Sequence, residues 1–128
     1  MRALLGVRRY KVNYEPVYER FSAAGPDGAT REFEFLKSGF LAMGDKPELF
    51  FFRAGGVEAV VGISGDALRR FERDRPQRLT REEKIDVTGL WLKRQFESGA
   101  PLDSAHLLIR DEELMRLAGD LGFSQPTK

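Results

Sequence analysis

The sequence predicts an α+β domain, in which an antiparallel sheet of about four to five strands has two to three helices packed on one face. Three observations predict it: a residue-by-residue alternation from Arg31 to Lys37, a doubly apolar hairpin around Gly55-Gly56, and a capping box at Thr80. Strands that follow one another and precede most of the helices are typical of α+β proteins rather than of alternating α/β folds.

Composition indicates one globular domain, residues 1–128, with a loose tail after residue 123. Hydrophobic residues make up 41% of the chain and charged residues 32%, which separates it from disordered chains. A net charge of +1 gives no whole-molecule attraction to nucleic acid or to a membrane. The absence of cysteine excludes disulfides and thiolate metal sites. No apolar run is long enough for a membrane span, and the apolar part of the start is too short for a signal peptide, so we expect a cytoplasmic protein without a cofactor.

The first half of the chain reads as strands and turns. Val7 to Tyr14 alternates as a half-buried strand, and Ala23 to Thr30 has the composition of a loop. Arg31 to Lys37 alternates again, with its phenylalanines on one face and its glutamates on the other. We expect this strand to continue towards Met43, with a bulge at Gly39.

The next two strands differ because they are apolar on both faces. Leu49 to Phe52 and Val57 to Ile63 flank Gly55-Gly56, a pair that suits a tight turn needing positive φ. Strands of this kind are covered on both faces. We expect the domain's own helices on one face, and the second face is open to cover either by this chain or by another subunit. The predicted interface residues are Phe50, Phe52, Val60, Val87, Leu90 and Trp91.

Helices account for most of the second half. Ser64 begins a short helix whose apolar stripe ends before Pro76. Thr80 and Glu83 form the capping box of a longer helix that runs to about Ser98, with an apolar arc wide enough to contact more than one surface.

The chain closes with a short strand and a last helix. The strand, His106 to Ile109, is expected at a sheet edge. Asp111 then begins the helix, and Gly122 is its expected C-terminal cap.

The basic segment between residues 69 and 84 is a candidate nucleic-acid site. It holds seven basic residues against four acidic ones, and arginines of this kind can grip phosphates. The same spacing also suits ion pairs within a helix on a solvated face, and this is the favoured interpretation. The candidate residues are Arg69, Arg70, Arg73, Arg75, Arg78, Arg81 and Lys84.

Ser64 offers the nearest approach to a catalytic motif. Gly62-Ile63-Ser64-Gly65-Asp66 lies at a strand-to-helix turn, but Asp66 replaces the second glycine of a nucleophile elbow. A triad would need His106, the only histidine, and an acid such as Asp86 or Asp103. The simpler interpretation is that Ser64 caps the helix with its hydroxyl, so we predict no catalytic residue and no metal ligand.

Residues 50–114 resemble a small uncharacterised bacterial domain family, one of the domains of unknown function. The resemblance rests on the strand pair ending at Ile63, the junction Ile63-Ser64-Gly65-Asp66-Ala67-Leu68 and the helix end Lys93-Arg94-Gln95-Phe96-Glu97-Ser98-Gly99. It also includes Phe71-Glu72-Arg73-Asp74-Arg75 and Leu108-Ile109-Arg110-Asp111-Glu112-Glu113-Leu114. The resemblance implies a compact α+β domain without an established activity, and it transfers no catalytic residue.

Three functions therefore remain in order of preference. The first is a non-enzymatic interaction or regulatory module that self-associates as a homodimer, with another protein as a further possible partner. The second is a nucleic-acid-binding protein that uses the basic segment. The third is a small hydrolase that uses Ser64.

Overall fold

A computed structural model describes residues 14–73, 78–102 and 107–123 and confirms the α+β class. The elements in chain order are β1 (Arg20–Ala24), β2 (Thr30–Phe40), β3 (Glu48–Ala54), β4 (Val57–Ile63), α1 (Gly65–Arg73), α2 (Arg81–Glu97), β5 (Leu108–Ile109) and α3 (Asp111–Asp120). The predicted strand over residues 7–14 lies almost wholly outside the described residues, as do His106 and the tail after residue 123.

The five strands form one curled sheet in the order β1-β2-β3-β4-β5. The first four strands are antiparallel neighbours, whereas β5 runs parallel to β4 and pairs Gly62 with Leu108 and Ile63 with Ile109. A parallel neighbour needs a long crossover connection. The segment with α1 and α2 supplies it, so β5 occupies the predicted edge position.

The core lies between one face of the sheet and the helices. Alternate residues of β3, among them Phe50, Phe52 and Ala54, are fully buried, and Val61 and Ile63 continue this layer on β4. Helix α2 lies at the centre of this core, because every residue from Ile85 to Leu92 is buried. A helix buried all round is covered on several sides. Its wide apolar arc therefore reflects neighbours within the same chain.

Strand β1 was not predicted from the sequence. Its five residues, Arg20 to Ala24, include one large apolar side chain, Phe21, and the alternation is too short to separate from the loop that follows. Phe21 lies opposite Phe33 on β2, and the two rings stack with their centroids 4.8 Å apart. The cross-strand contact, which the local sequence does not contain, stabilises β1.

The sequence predicted a bulge at Gly39 of β2, and this prediction is wrong. The register shifts between Phe35 and Lys37, and beyond it Gly39 pairs regularly with Leu49. Strand β2 is therefore continuous from Thr30 to Phe40. The shift lets Phe35 stay on the core face while Lys37 lies opposite Phe51 and its ammonium sits 5.1 Å from the centre of that ring.

Helix and turn signals in the sequence are confirmed. Thr80 and Glu83 make both hydrogen bonds of the capping box at the start of α2, and the helix ends at Glu97 with Ser98 as its C-terminal cap. Gly55 has a φ of +68° in the β3–β4 turn, and Gly122 has a φ of +83° after α3. Both glycines occupy the left-handed region that other residues rarely adopt.

The segment before β1 is fixed to α2 by Asp86. This fully buried carboxylate accepts hydrogen bonds from the Tyr14 hydroxyl, from the Val17 amide at 3.1 Å and from the Tyr18 amide at 2.7 Å. The backbone crosses α2 at Gly89, where an added Cβ would lie 2.7 Å from the Tyr18 carbonyl oxygen. The segment therefore covers the side of α2 that carries Asp86 and Gly89.

Candidate functional site

The end of β2 and the connection to β3 carry the two most exposed large apolar side chains of the described residues, Phe40 and Met43. Phe40 is 74% exposed, Leu41 42% and Met43 69%, so three of four consecutive residues present large apolar groups to solvent. Single exposed hydrophobic residues are common on protein surfaces, but a contiguous group of them marks a contact site. We call Phe40, Leu41 and Met43 the hairpin tip.

The backbone of this connection has a fixed conformation. The Leu41 amide donates to the Pro47 carbonyl at 3.0 Å, and the Lys46 amide donates to the Met43 carbonyl at 2.9 Å. Gly44 and Lys46 both have positive φ, at 60° and 56°. A non-glycine residue in this region costs conformational energy, which the surrounding hydrogen bonds must offset. The hairpin tip is thus presented by an ordered turn.

Asp45 attaches the turn to the start of α1. Its Oδ2 accepts a hydrogen bond from the Ser64 hydroxyl at 2.5 Å and a longer one from the Asp66 amide at 3.4 Å. The hydrogen bond from Ser64 lowers the pKa of Asp45 below its ordinary value. At Gly65 an added Cβ would lie 1.9 Å from the Asp45 carbonyl oxygen, so only glycine allows this approach. The hairpin tip therefore has a rigid base.

The basic segment is engaged in contacts with its own chain. Arg69 pairs with Asp66, and Arg70 pairs with Asp111 at the start of α3. Lys84 forms a nearly buried ion pair with Glu48, with 2.7 Å between Nζ and Oε1. Arg78 lies 3.9 Å from the Glu72 carboxylate. The Arg81 guanidinium lies 5.2 Å from the centre of the Phe35 ring, in a cation–π contact.

These contacts give the predicted cations partners on α1, α3, β2 and β3. Arg73 at the end of α1 also has an interaction within the molecule, and Arg75 lies outside the described residues. Exposed pairs such as Arg69–Asp66 can exchange partners at little cost, whereas Lys84 is held by a partner that is 8% exposed. Nucleic-acid binding by this segment stays a prediction.

The six predicted interface residues lie mostly in the chain's own core. Phe50, Phe52 and Val87 are fully buried, Leu90 is 7% exposed and Trp91 6%. Val60 is half-buried on the other face of the sheet. These side chains leave little surface for a second subunit, so the chain itself supplies most of the cover that the apolar hairpin requires. Three of the exposed large apolar residues are instead those of the hairpin tip, which the sequence predicted at the end of a strand.

Ser64 is occupied as a helix cap. Its hydroxyl oxygen accepts from the Ala67 amide at 3.2 Å while its proton is donated to Asp45, and the residue is 7% exposed. The hydroxyl therefore uses both its donor proton and its acceptor oxygen in hydrogen bonds within the fold. Asp86 is engaged with the segment before β1, while Asp103 and His106 lie outside the described residues.

Within residues 14–73, 78–102 and 107–123, no group of three or more carboxylate or histidine side chains is placed to hold a metal ion. No helix in the same part of the chain has the length and apolarity needed to cross a membrane.

Comparison with known proteins adds no family. No family model matches the chain, and neither the curated proteins nor the solved structures contain a match. The resemblance of residues 50–114 to a domain of unknown function stays a prediction.

Proposed function

We propose that this protein is a small non-enzymatic interaction module that binds another protein surface through the hairpin tip. The observation that carries the proposal is the exposure of Phe40 at the end of β2 and of Leu41 and Met43 in the ordered turn that follows it. Burying such side chains in a contact releases about 1.5–3 kcal/mol for each large residue, before the costs of association are subtracted.

The rigid base of the turn also supports this function. Asp45 joins the turn to Ser64, and the backbone of Asp45 packs directly against Gly65. A preformed contact surface loses little conformational entropy on binding, which raises affinity without further contacts. Exposed turns are usually polar, because they are rich in Gly, Pro, Asn, Asp and Ser. The apolar side chains of this turn therefore support a binding role.

Site-specific photo-cross-linking in the cells that produce the protein tests the proposal. A photoreactive phenylalanine analogue replaces Met43 in one variant and Glu58 in the control variant. Glu58 is exposed on β4 and pairs with Arg53 beside the β3–β4 turn, away from the hairpin tip. We expect a discrete protein adduct from position 43 only, and we expect Leu41→Lys to remove it while the melting temperature stays unchanged.

Two results would contradict the proposal. The first is the same weak set of adducts from both positions, which would mean that the hairpin tip has no partner. The second is an oligonucleotide complex that forms at low salt and weakens steeply as salt is raised, without any effect of Leu41→Lys. That second result would favour the basic segment as the binding site.

A further inference from the structure

Strand β2 is longer than its neighbour β1, and this leaves part of one edge open. β1 pairs with residues 30–34 of β2, and the Phe35 amide still donates to the Glu19 carbonyl at 2.7 Å. Before Glu19 the chain turns towards α2, where Asp86 holds it. Beyond Phe35, no described residue pairs with β2 on this side.

The hydrogen-bond alternation identifies the open groups. Leu41 donates to Pro47, so Gly39 and Lys37, two and four residues earlier, also direct their backbone groups towards β3. Ser38 and Phe40 lie between them and therefore direct their N–H and C=O groups away from β3, to the open side. Within the described part of the chain these four backbone groups, two on Ser38 and two on Phe40, have no strand partner.

Beyond Lys37 this edge carries neither a charge nor a proline, two of the devices that natural proteins use to block edge pairing. Residues 38–43, Ser-Gly-Phe-Leu-Ala-Met, contain no charge and no proline, and the bulge in β2 lies earlier, between Phe35 and Lys37. An uncharged edge next to exposed apolar side chains is a template for another strand. The outer edge of β1, in contrast, is short and begins at the charged Arg20, whose side chain is 75% exposed.

We propose that the open edge pairs with the same edge of a second copy of this chain, antiparallel and about a two-fold axis at Gly39. The inference rests on the proposed interaction function and names its partner. In this register Ser38 of each copy lies opposite Phe40 of the other, so all four open groups on each chain form hydrogen bonds. The isologous contact is closed and builds a dimer rather than a fibre.

The side chains are compatible with this arrangement. The two Phe40 rings become diagonal neighbours, about 7–8 Å apart between backbones and within reach of each other. Lys37 of one copy lies opposite Leu41 of the other, and no two like charges face each other between residues 37 and 41. The pairing joins the two sheets and covers part of the hairpin tip.

Hydrogen exchange at low and high protein concentration tests the backbone pairing directly. The amides of Ser38 and Phe40 gain protection as concentration rises, whereas Lys37 and Gly39 are bonded to β3 in either state and serve as internal controls. Equal protection at both concentrations, with light scattering reporting a monomer throughout, would overturn the second copy as the partner.

Three variants separate edge pairing from other contacts. Ser38→Pro removes an N–H that bonds to no described residue of its own chain, and it should weaken dimerisation about tenfold or more because both copies lose a donor. Ser38→Ala keeps the N–H and should leave dimerisation unchanged. Phe40→Lys should weaken it through like-charge repulsion that added salt partly relieves. Circular dichroism confirms that each variant is folded.

The outcomes distinguish this inference from the proposed function. A dimer that resists both Ser38→Pro and Phe40→Lys would overturn edge pairing. A monomer that still gives a Met43 adduct with a different protein would overturn the second copy while the interaction function stands. A monomer without any adduct would contradict both.

Discussion

Lys84 on α2 and Glu48 at the start of β3 form an ion pair, with Nζ 2.7 Å from Oε1, in which the side chains are 15% and 8% exposed. The pair joins the central helix to the sheet beside the turn that carries the hairpin tip. Removing one member leaves the other charge unpaired in a poorly solvated position. The resulting loss of stability is larger than the net stabilisation that the ion pair contributes.

Lys84→Met should therefore lower the free energy of unfolding by about 2 kcal/mol. This loss is smaller than the roughly 3–5 kcal/mol expected when a fully buried pair is broken, because Lys84 keeps some contact with water. Urea denaturation measures the change. Lys93→Met is the matched control, since Lys93 pairs with Glu97 on the exposed side of the same helix and should lose only about 0.3–0.5 kcal/mol. Equal losses would mean that burial does not strengthen the Glu48 pair.

The Tyr14 hydroxyl makes the stability of the protein depend on alkaline pH. Burial, with the hydrogen bond to Asp86, raises the pKa of Tyr14 above its ordinary value of 10. Because the folded-state pKa is raised, the stabilisation is complete below pH 10 and is lost as pH rises further. We expect the wild type to lose stability relative to Tyr14→Phe above pH 10, as measured by chemical denaturation. Parallel stability curves for the two proteins would argue against the Tyr14–Asp86 contact.

Gly65 should be indispensable for the base of the hairpin tip. In Gly65→Ala the new Cβ meets the Asp45 backbone carbonyl, which cannot move without the turn, and we expect a loss of about 2–3 kcal/mol. Gly56→Ala provides the control, because nothing lies within 4 Å of an added Cβ there. Thermal unfolding of the two variants measures the difference. A Gly65→Ala protein as stable as Gly56→Ala would show that the turn is not packed against α1.

Ser64→Ala should cost about 1–2 kcal/mol at neutral pH, because α1 loses its cap and Asp45 loses its hydroxyl donor. The lowered pKa of Asp45 sets the pH dependence. Its contribution is present above the ordinary pKa of 3.8 and is lost as pH falls through the lower folded-state value. The stability difference between wild type and variant should therefore shrink in acid, as followed by urea denaturation.

Ser98→Ala is the control for this experiment, because the Ser98 hydroxyl donates to the Gln95 carbonyl at the exposed end of α2. A difference between wild type and Ser64→Ala that stays constant into acid would contradict the contribution of Asp45. Turnover of an activated ester by the wild type, abolished in Ser64→Ala, would instead favour the hydrolase interpretation.

The sequence alone determined those features that depend on neighbouring residues. The alternation that begins at Arg31, the Gly55-Gly56 turn and the Thr80 capping box each encode a hydrogen-bond pattern or a face within a few residues. The structure confirms the turn and the capping box, and it confirms the alternation as far as Phe35, where the bulge begins. The same patterns predicted the α+β class, because a run of one-sided strands followed by amphipathic helices has few packing solutions.

Only the tertiary structure decided which surfaces are covered and by what. The sequence identified an apolar hairpin and a wide apolar arc on α2, but burial depends on distant segments such as Tyr14 to Tyr18, which Asp86 holds across the helix. β1 forms through its pairing with residues 30–34 of β2, and Phe40 lies beyond that pairing and is 74% exposed. Local pattern fixes the direction of a side chain, whereas its contacts are set by residues far away in sequence.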